Sequence, residues 1–124
     1  MKTASLFVSF AFAATATMAS AQAVESGYPR GSLAVAAIEQ GDWARAERLL
    51  NAAQANKEDP AWLLNLGQVY LQTGRTAEAL NAWRTALNSS RHVEVETLSG
   101  RLVSTRELAR QALARYETAA LGTR

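Results

Sequence analysis

No cysteine occurs anywhere in the 124 residues, so neither disulfide bonds nor thiol chemistry is open to this chain, and lipid attachment at a cysteine is excluded. Histidine occurs once, as His92, and no serine sits in a Gly-x-Ser-x-Gly turn. Acid–base and nucleophilic chemistry therefore have few of their usual groups. No catalytic residue, resident metal or cofactor is assigned, and an enzyme is not expected. Charge of one sign is scarce too: the formal net charge of +2 falls to +1 without Lys2, and the arginines are spread along the chain with no phosphate-binding stripe. Nucleic acid is not an expected partner. Long apolar runs are also missing, since no stretch approaches the roughly 20 residues that span a bilayer.

The longest apolar run, Leu6 to Ala14, comes after Lys2 and ends near the small-residue site Ala19-Ser20-Ala21. That is the pattern of a secretory signal peptide over residues 1–21, so the chain is expected to be exported, either periplasmic or secreted. Residues 22–31 contain Glu25, Ser26, Gly27, Pro29 and Gly31 without apolar periodicity and read as a flexible N-terminal segment. Residues 32–120 are enough for one small domain held by packing alone.

Within that domain the apolar spacing is helical. Ser32 can cap a first short helix with Leu33, Ala34, Ala37 and Ile38 on one face and Gly41 as its stop. Asp42 caps a second, with Trp43, Ala46, Leu49, Leu50 and Ala53 inward. Asp59-Pro60 is a strong start signal for a third, a capping carboxylate followed by proline in the first turn. This helix, 60–73, is apolar on nearly every side and is expected to be sandwiched. Gly74, expected in a left-handed conformation, separates it from a fourth helix ending near Asn88.

Residues 91–104 break the helical period. Val93 and Val95 alternate with Glu94 and Glu96, and Ser99-Gly100 precedes Leu102-Val103, the pattern of a small β-hairpin. Ser104 and Glu107 have the spacing of a capping box, opening a last helix over 105–119 with Leu108, Ala112, Leu113 and Tyr116 inward. His92, Glu94 and Glu96 fall on one face of the hairpin. They read either as a divalent-metal cluster or as a solvated polar face that discourages edge pairing.

A shift of 33 residues superposes Gly41 on Gly74, Ala46 on Ala79, Leu50 on Trp83 and Ala53 on Ala86. A shared offset marks a repeat. The stretch Leu63-x-x-Leu66-Gly67-x-x-Tyr70, followed by Ala79-x-x-x-Trp83, resembles the tetratricopeptide repeat over Pro60 to Leu87. Gly67 lets two helices approach, Tyr70 fills the space between them, and small Ala79 admits a crossing that Trp83 packs over. The likeness is weaker over 32–55, where Ala34 and Ala37 stand where glycine and tyrosine are expected, and it does not extend to 91–103.

The resemblance implies an all-α fold of helical hairpin repeats, about five helices forming a right-handed solenoid fragment. It implies a degenerate repeat at 32–55, a well-matched one at 60–88, the β-hairpin at 91–104 and a capping helix at 105–119. It also implies a protein or peptide partner, bound on the concave face of the third helix by Leu64, Asn65, Gln68, Leu71 and Gln72, with Val35, Ile38 and Glu39 at the corresponding first-hairpin positions. Two alternatives stay open. Leu64 and Leu71 are covered by this chain, leaving no groove, or a second copy completes a homo-oligomeric solenoid.

Overall fold

Five helices and one two-stranded sheet make up the computed structural model, which describes residues 32–53, 57–97 and 99–121. The expected signal peptide, 1–21, and the segment 22–31 lie outside the described residues. The order is α1 (Val35–Glu39), α2 (Trp43–Ala52), α3 (Pro60–Gln72), α4 (Thr76–Leu87), β1 (Glu94–Glu96), β2 (Leu102–Ser104) and α5 (Thr105–Leu121). The fold is all-α apart from the hairpin, as the spacing predicts. No helix among the described residues is long and apolar enough to cross a membrane.

Helix starts follow the local chemistry where a carboxylate is present. Asp42 Oδ1 accepts from the Arg45 amide at 3.1 Å. Asp59 Oδ1 accepts from the amides of Ala61 at 2.9 Å and Trp62 at 3.1 Å, and Pro60 needs no partner in the first turn. Two expected hydroxyl caps differ. Ser32 does not cap α1: Ala34 precedes that helix in a left-handed conformation, φ 55°, and α1 starts without a side-chain cap. At α5, Ser104 Oγ accepts from the Arg106 amide at 3.2 Å, while the Glu107 carboxylate turns to Arg110 and Gln111 instead of closing a capping box. Exposed partners one turn ahead compete with the backbone for that carboxylate.

Gly41 and Gly74, the pair related by the repeat offset, both adopt positive φ, 69° and 80°. Each ends the first helix of its hairpin, a position where a side chain is strained by the backbone itself. A Cβ at Gly74 would meet nothing within 4 Å, so substitution there isolates the conformational term. Gly74→Val is expected to destabilise the domain by more than about 1 kcal/mol in urea unfolding, and an unchanged midpoint would refute that origin.

The core is one cluster. Helix α3 packs on α4, α2 and α5, and its residues from Pro60 to Val69 are all buried. Ala46 and Leu50 of α2, Ala79 and Trp83 of α4, and Leu108, Ala109 and Leu113 of α5 belong to the same interior, as do Leu33, Ala37 and Ile38 in and just before α1. The β-hairpin is antiparallel, with Val95 opposite Val103, and buries Val95 against the same core. A two-stranded ribbon is marginal alone, and this one leans on helices as expected. A backbone hydrogen bond from the Thr105 amide to the Val93 carbonyl, 2.9 Å, joins it directly to the start of α5.

Candidate functional site

Helix α3 presents two contact sides, each fixed by an indole. Towards α4, Gly67 leaves room for the Trp83 ring: a Cβ there would meet Trp83 Nε1 and would lie 2.7 Å from Cδ1. The same Nε1 donates to the Leu64 carbonyl at 3.3 Å, and the ring stacks on Tyr116 of α5 with centroids 5.4 Å apart. Towards the first hairpin, Trp62 Nε1 donates to the Leu50 carbonyl at 3.0 Å, and Asn65 Nδ2 donates to the Leu33 carbonyl at 2.9 Å.

This arrangement divides the five candidate partner-binding positions. Leu64, Asn65 and Gln68 are buried within the chain, at 3%, 1% and 9% exposure. Leu71 is half-buried and Gln72 is exposed. The covering element at Asn65 is the turn at Leu33. Of the first-hairpin positions, Ile38 is buried, Val35 half-buried and Glu39 exposed. The open part of the α3 surface is therefore its C-terminal turn. Spacing alone places all five residues on one face; it does not report that the turn before α1 lies across the first of them.

A family model described as tetratricopeptide repeat matches residues 37–102, just over half of the chain. The chain belongs to the tetratricopeptide repeat family. The matched span begins within α1, runs through both helical hairpins and β1 and ends at Leu102, the first residue of β2, so it takes in most of 91–103, where the motif itself does not extend. Comparison with curated proteins and with solved structures finds no match. A tetratricopeptide repeat points to protein–protein interaction, and it is the packing motif of that family, Gly67 against Trp83, that the geometry realises.

An ion pair also joins the two hairpins of this tetratricopeptide repeat protein. The Arg75 guanidinium, at the start of α4, donates to both carboxylate oxygens of Glu47 on α2, at 2.8 and 2.6 Å. It also donates to Thr73 Oγ1 and lies 4.6 Å from the Tyr70 ring centroid. Bidentate geometry of this kind is the stronger form of ion pair. Hydrogen bonding from Arg75, aided by its charge and partly opposed by burial, holds the Glu47 carboxyl below its ordinary value of 4.5. The sign follows from that lowering: the contribution is fully present above the unfolded carboxyl's value and is lost as pH falls through the lower folded one. Wild type is thus expected to lose more stability than Glu47→Gln on acidification from pH 5 towards the lowered value. Parallel slopes in urea titrations would contradict the pairing.

His92 does not gather the carboxylates of β1. Its Nε2 accepts from Arg106 Nε at 2.9 Å, so that nitrogen meets a cation. Among the described residues no group of three His, Cys, Asp or Glu side chains is arranged to hold a metal ion. On the outer side of α4, Asn81, Thr85 and Asn88 succeed one another at helical spacing and open onto a polar hollow of about 480 Å³ bounded by Ser90. Sequence reasoning passes over this stripe because polar residues on an outer helix face are ordinary. It offers no buried apolar anchor of the kind that dominates protein interfaces.

Proposed function

We propose that this tetratricopeptide repeat protein is an exported, non-enzymatic interaction module or scaffold, acting in a periplasm or outside the cell. The observation that carries the reading is the repeat itself, whose second hairpin keeps both the family's motif and its packing. Export is supported by Lys2, the short apolar run and Ala19-Ser20-Ala21. The partner contacts the C-terminal turn of α3, where Leu71 gives apolar area and Gln72 an exposed amide rim.

The test has two arms. Intact mass of the protein recovered from a cell-envelope fraction is expected to correspond to a chain starting at Gln22; retention of Met1 would remove the export reading. Affinity capture from the same extract is expected to return one partner that is lost on combined Leu71→Asp and Gln72→Arg substitution. Undiminished capture by that folded variant would place the contact elsewhere. A homo-oligomer is the second reading, favoured by Leu102, a large hydrophobic on β2 that is 67% exposed. A monomeric mass by light scattering at high concentration would remove it.

A further inference from the structure

The two edges of the β-hairpin are not alike. Hydrogen bonds from the Thr97 amide to the Arg101 carbonyl, 2.8 Å, and from the Thr105 amide to the Val93 carbonyl, 2.9 Å, fix the phase of the ladder. Odd-numbered residues bond across the hairpin, so the N–H and carbonyl groups of Glu94 and Glu96 point out of one edge and those of Leu102 out of the other. The β1 edge carries two exposed carboxylates, a charge pattern that blunts strand addition. The β2 edge has no such guard. Leu102 is 67% exposed, the one large hydrophobic so exposed among the described residues. Among those residues its N–H and carbonyl find no hydrogen-bond partner. An open strand edge and an uncovered aliphatic side chain thus coincide at one residue.

We propose that β2 pairs antiparallel with β2 of a second copy of this chain, about a two-fold axis at Leu102, giving a dimer with a four-stranded sheet. Leu102 then faces its own equivalent, exchanging two backbone hydrogen bonds and closing one aliphatic side chain on another. Ser104 comes opposite Gly100 of the second copy, which has no side chain to clash, and Arg101 opposite Val103, so no like charges stand directly opposed. The argument for a second copy is closure. The strand order β1-β2-β2-β1 leaves Glu94 and Glu96 on both rims, and growth stops at two. Addition of β2 to a neighbour's β1 would instead leave one edge open at every step and run into filaments. A three-residue edge buries less than the roughly 1,200 Å² of stable interfaces, so the dimer is reversible and concentration-dependent.

This inference rests on the homo-oligomer reading, and its test separates the two. The chain has no cysteine, so a single introduced cysteine reports one position. Under mild oxidation Leu102→Cys is expected to form a disulfide-linked dimer at least about 10-fold faster than Glu94→Cys or Arg110→Cys. Residues opposed in a hydrogen-bonded antiparallel pair have Cα atoms about 5.5 Å apart, within disulfide reach. Equal rates at the three positions would overturn the pairing. Light scattering of the wild-type chain is expected to show a mass that rises towards a dimer with concentration. Leu102→Pro removes the outward N–H while leaving the hairpin's own bonds in place, and is expected to stay monomeric. Where proline disturbs the hairpin, Leu102→Lys decides, since a charge on the edge blocks addition and the strand is kept. A wild-type dimer that persists undiminished in Leu102→Lys would keep the homo-oligomer and overturn edge pairing. A wild-type chain that stays monomeric at high concentration would overturn both.

Discussion

Gly67→Ala is expected to destabilise the domain by about 2–4 kcal/mol, although alanine is the better helix former by about 1 kcal/mol. The methyl group would enter the Trp83 ring, 2.7 Å from Cδ1 and 2.9 Å from Cε2, and these ring atoms cannot yield independently. Overpacking of this sort costs about 1–3 kcal/mol. Moving the indole also breaks its bond to the Leu64 carbonyl and its stack on Tyr116, and an unpaired buried group adds about 1–3 kcal/mol. The clash therefore outweighs the propensity gain. Urea unfolding of Gly67→Ala, Trp83→Leu and their combination provides the check, since the smaller side chain makes room for the methyl group. The double variant is expected to be more stable than the sum of the two losses implies. A stabilised Gly67→Ala would show that the two helices are farther apart than the geometry states.

The second large effect is at Trp62. Its ring is 8% exposed, and its Nε1 donates to the Leu50 carbonyl. Leu50 lies in the last turn of α2, where a carbonyl has no acceptor role left within the helix. The indole thus satisfies a helix end and joins the first hairpin to the second. Trp62→Ala is expected to cost about 3–5 kcal/mol, the usual range for deleting a buried aromatic. Trp62→Phe keeps most of the apolar area and loses the donor, for about 1–3 kcal/mol. Thermal unfolding of the two variants separates packing from hydrogen bonding; equal losses would mean that the ring's area contributes little.

The fate of particular residues shows how far the sequence can be read. Asp59-Pro60 and Gly74 bound α3 because capping and left-handed turns are local chemistry, and local chemistry is written in adjacent residues. Gly67 and Trp83 are legible as a pair because the repeat supplies their spacing. Trp62 is legible in part: its place off the Leu63, Leu66 and Tyr70 stripe leaves packing on the preceding hairpin or partial exposure. The first is what occurs, and only the folded hairpin shows that it faces Leu50. The same limit applies to Asn65. Its position on α3 is a matter of helical phase, but its burial depends on a turn 32 residues earlier in the chain. Arg75 and Glu47, 28 residues apart, are two ordinary surface residues until the hairpins stack. Of the Ser104–Glu107 pair only the serine caps, because Arg110 and Gln111 draw the Glu107 carboxylate away, and Ser32 does not cap because α1 starts after Ala34.

Of the five candidate residues, Gln72 is therefore the most informative position, being exposed on the helix where docking is proposed. The most direct measurement is site-specific photocrosslinking in the intact protein, with the probe at position 72 and a control at exposed Arg110 on α5. Docking on α3 predicts an adduct with a defined protein partner from position 72 that is absent from position 110. Adducts of equal yield from both positions, or none from position 72, would contradict it.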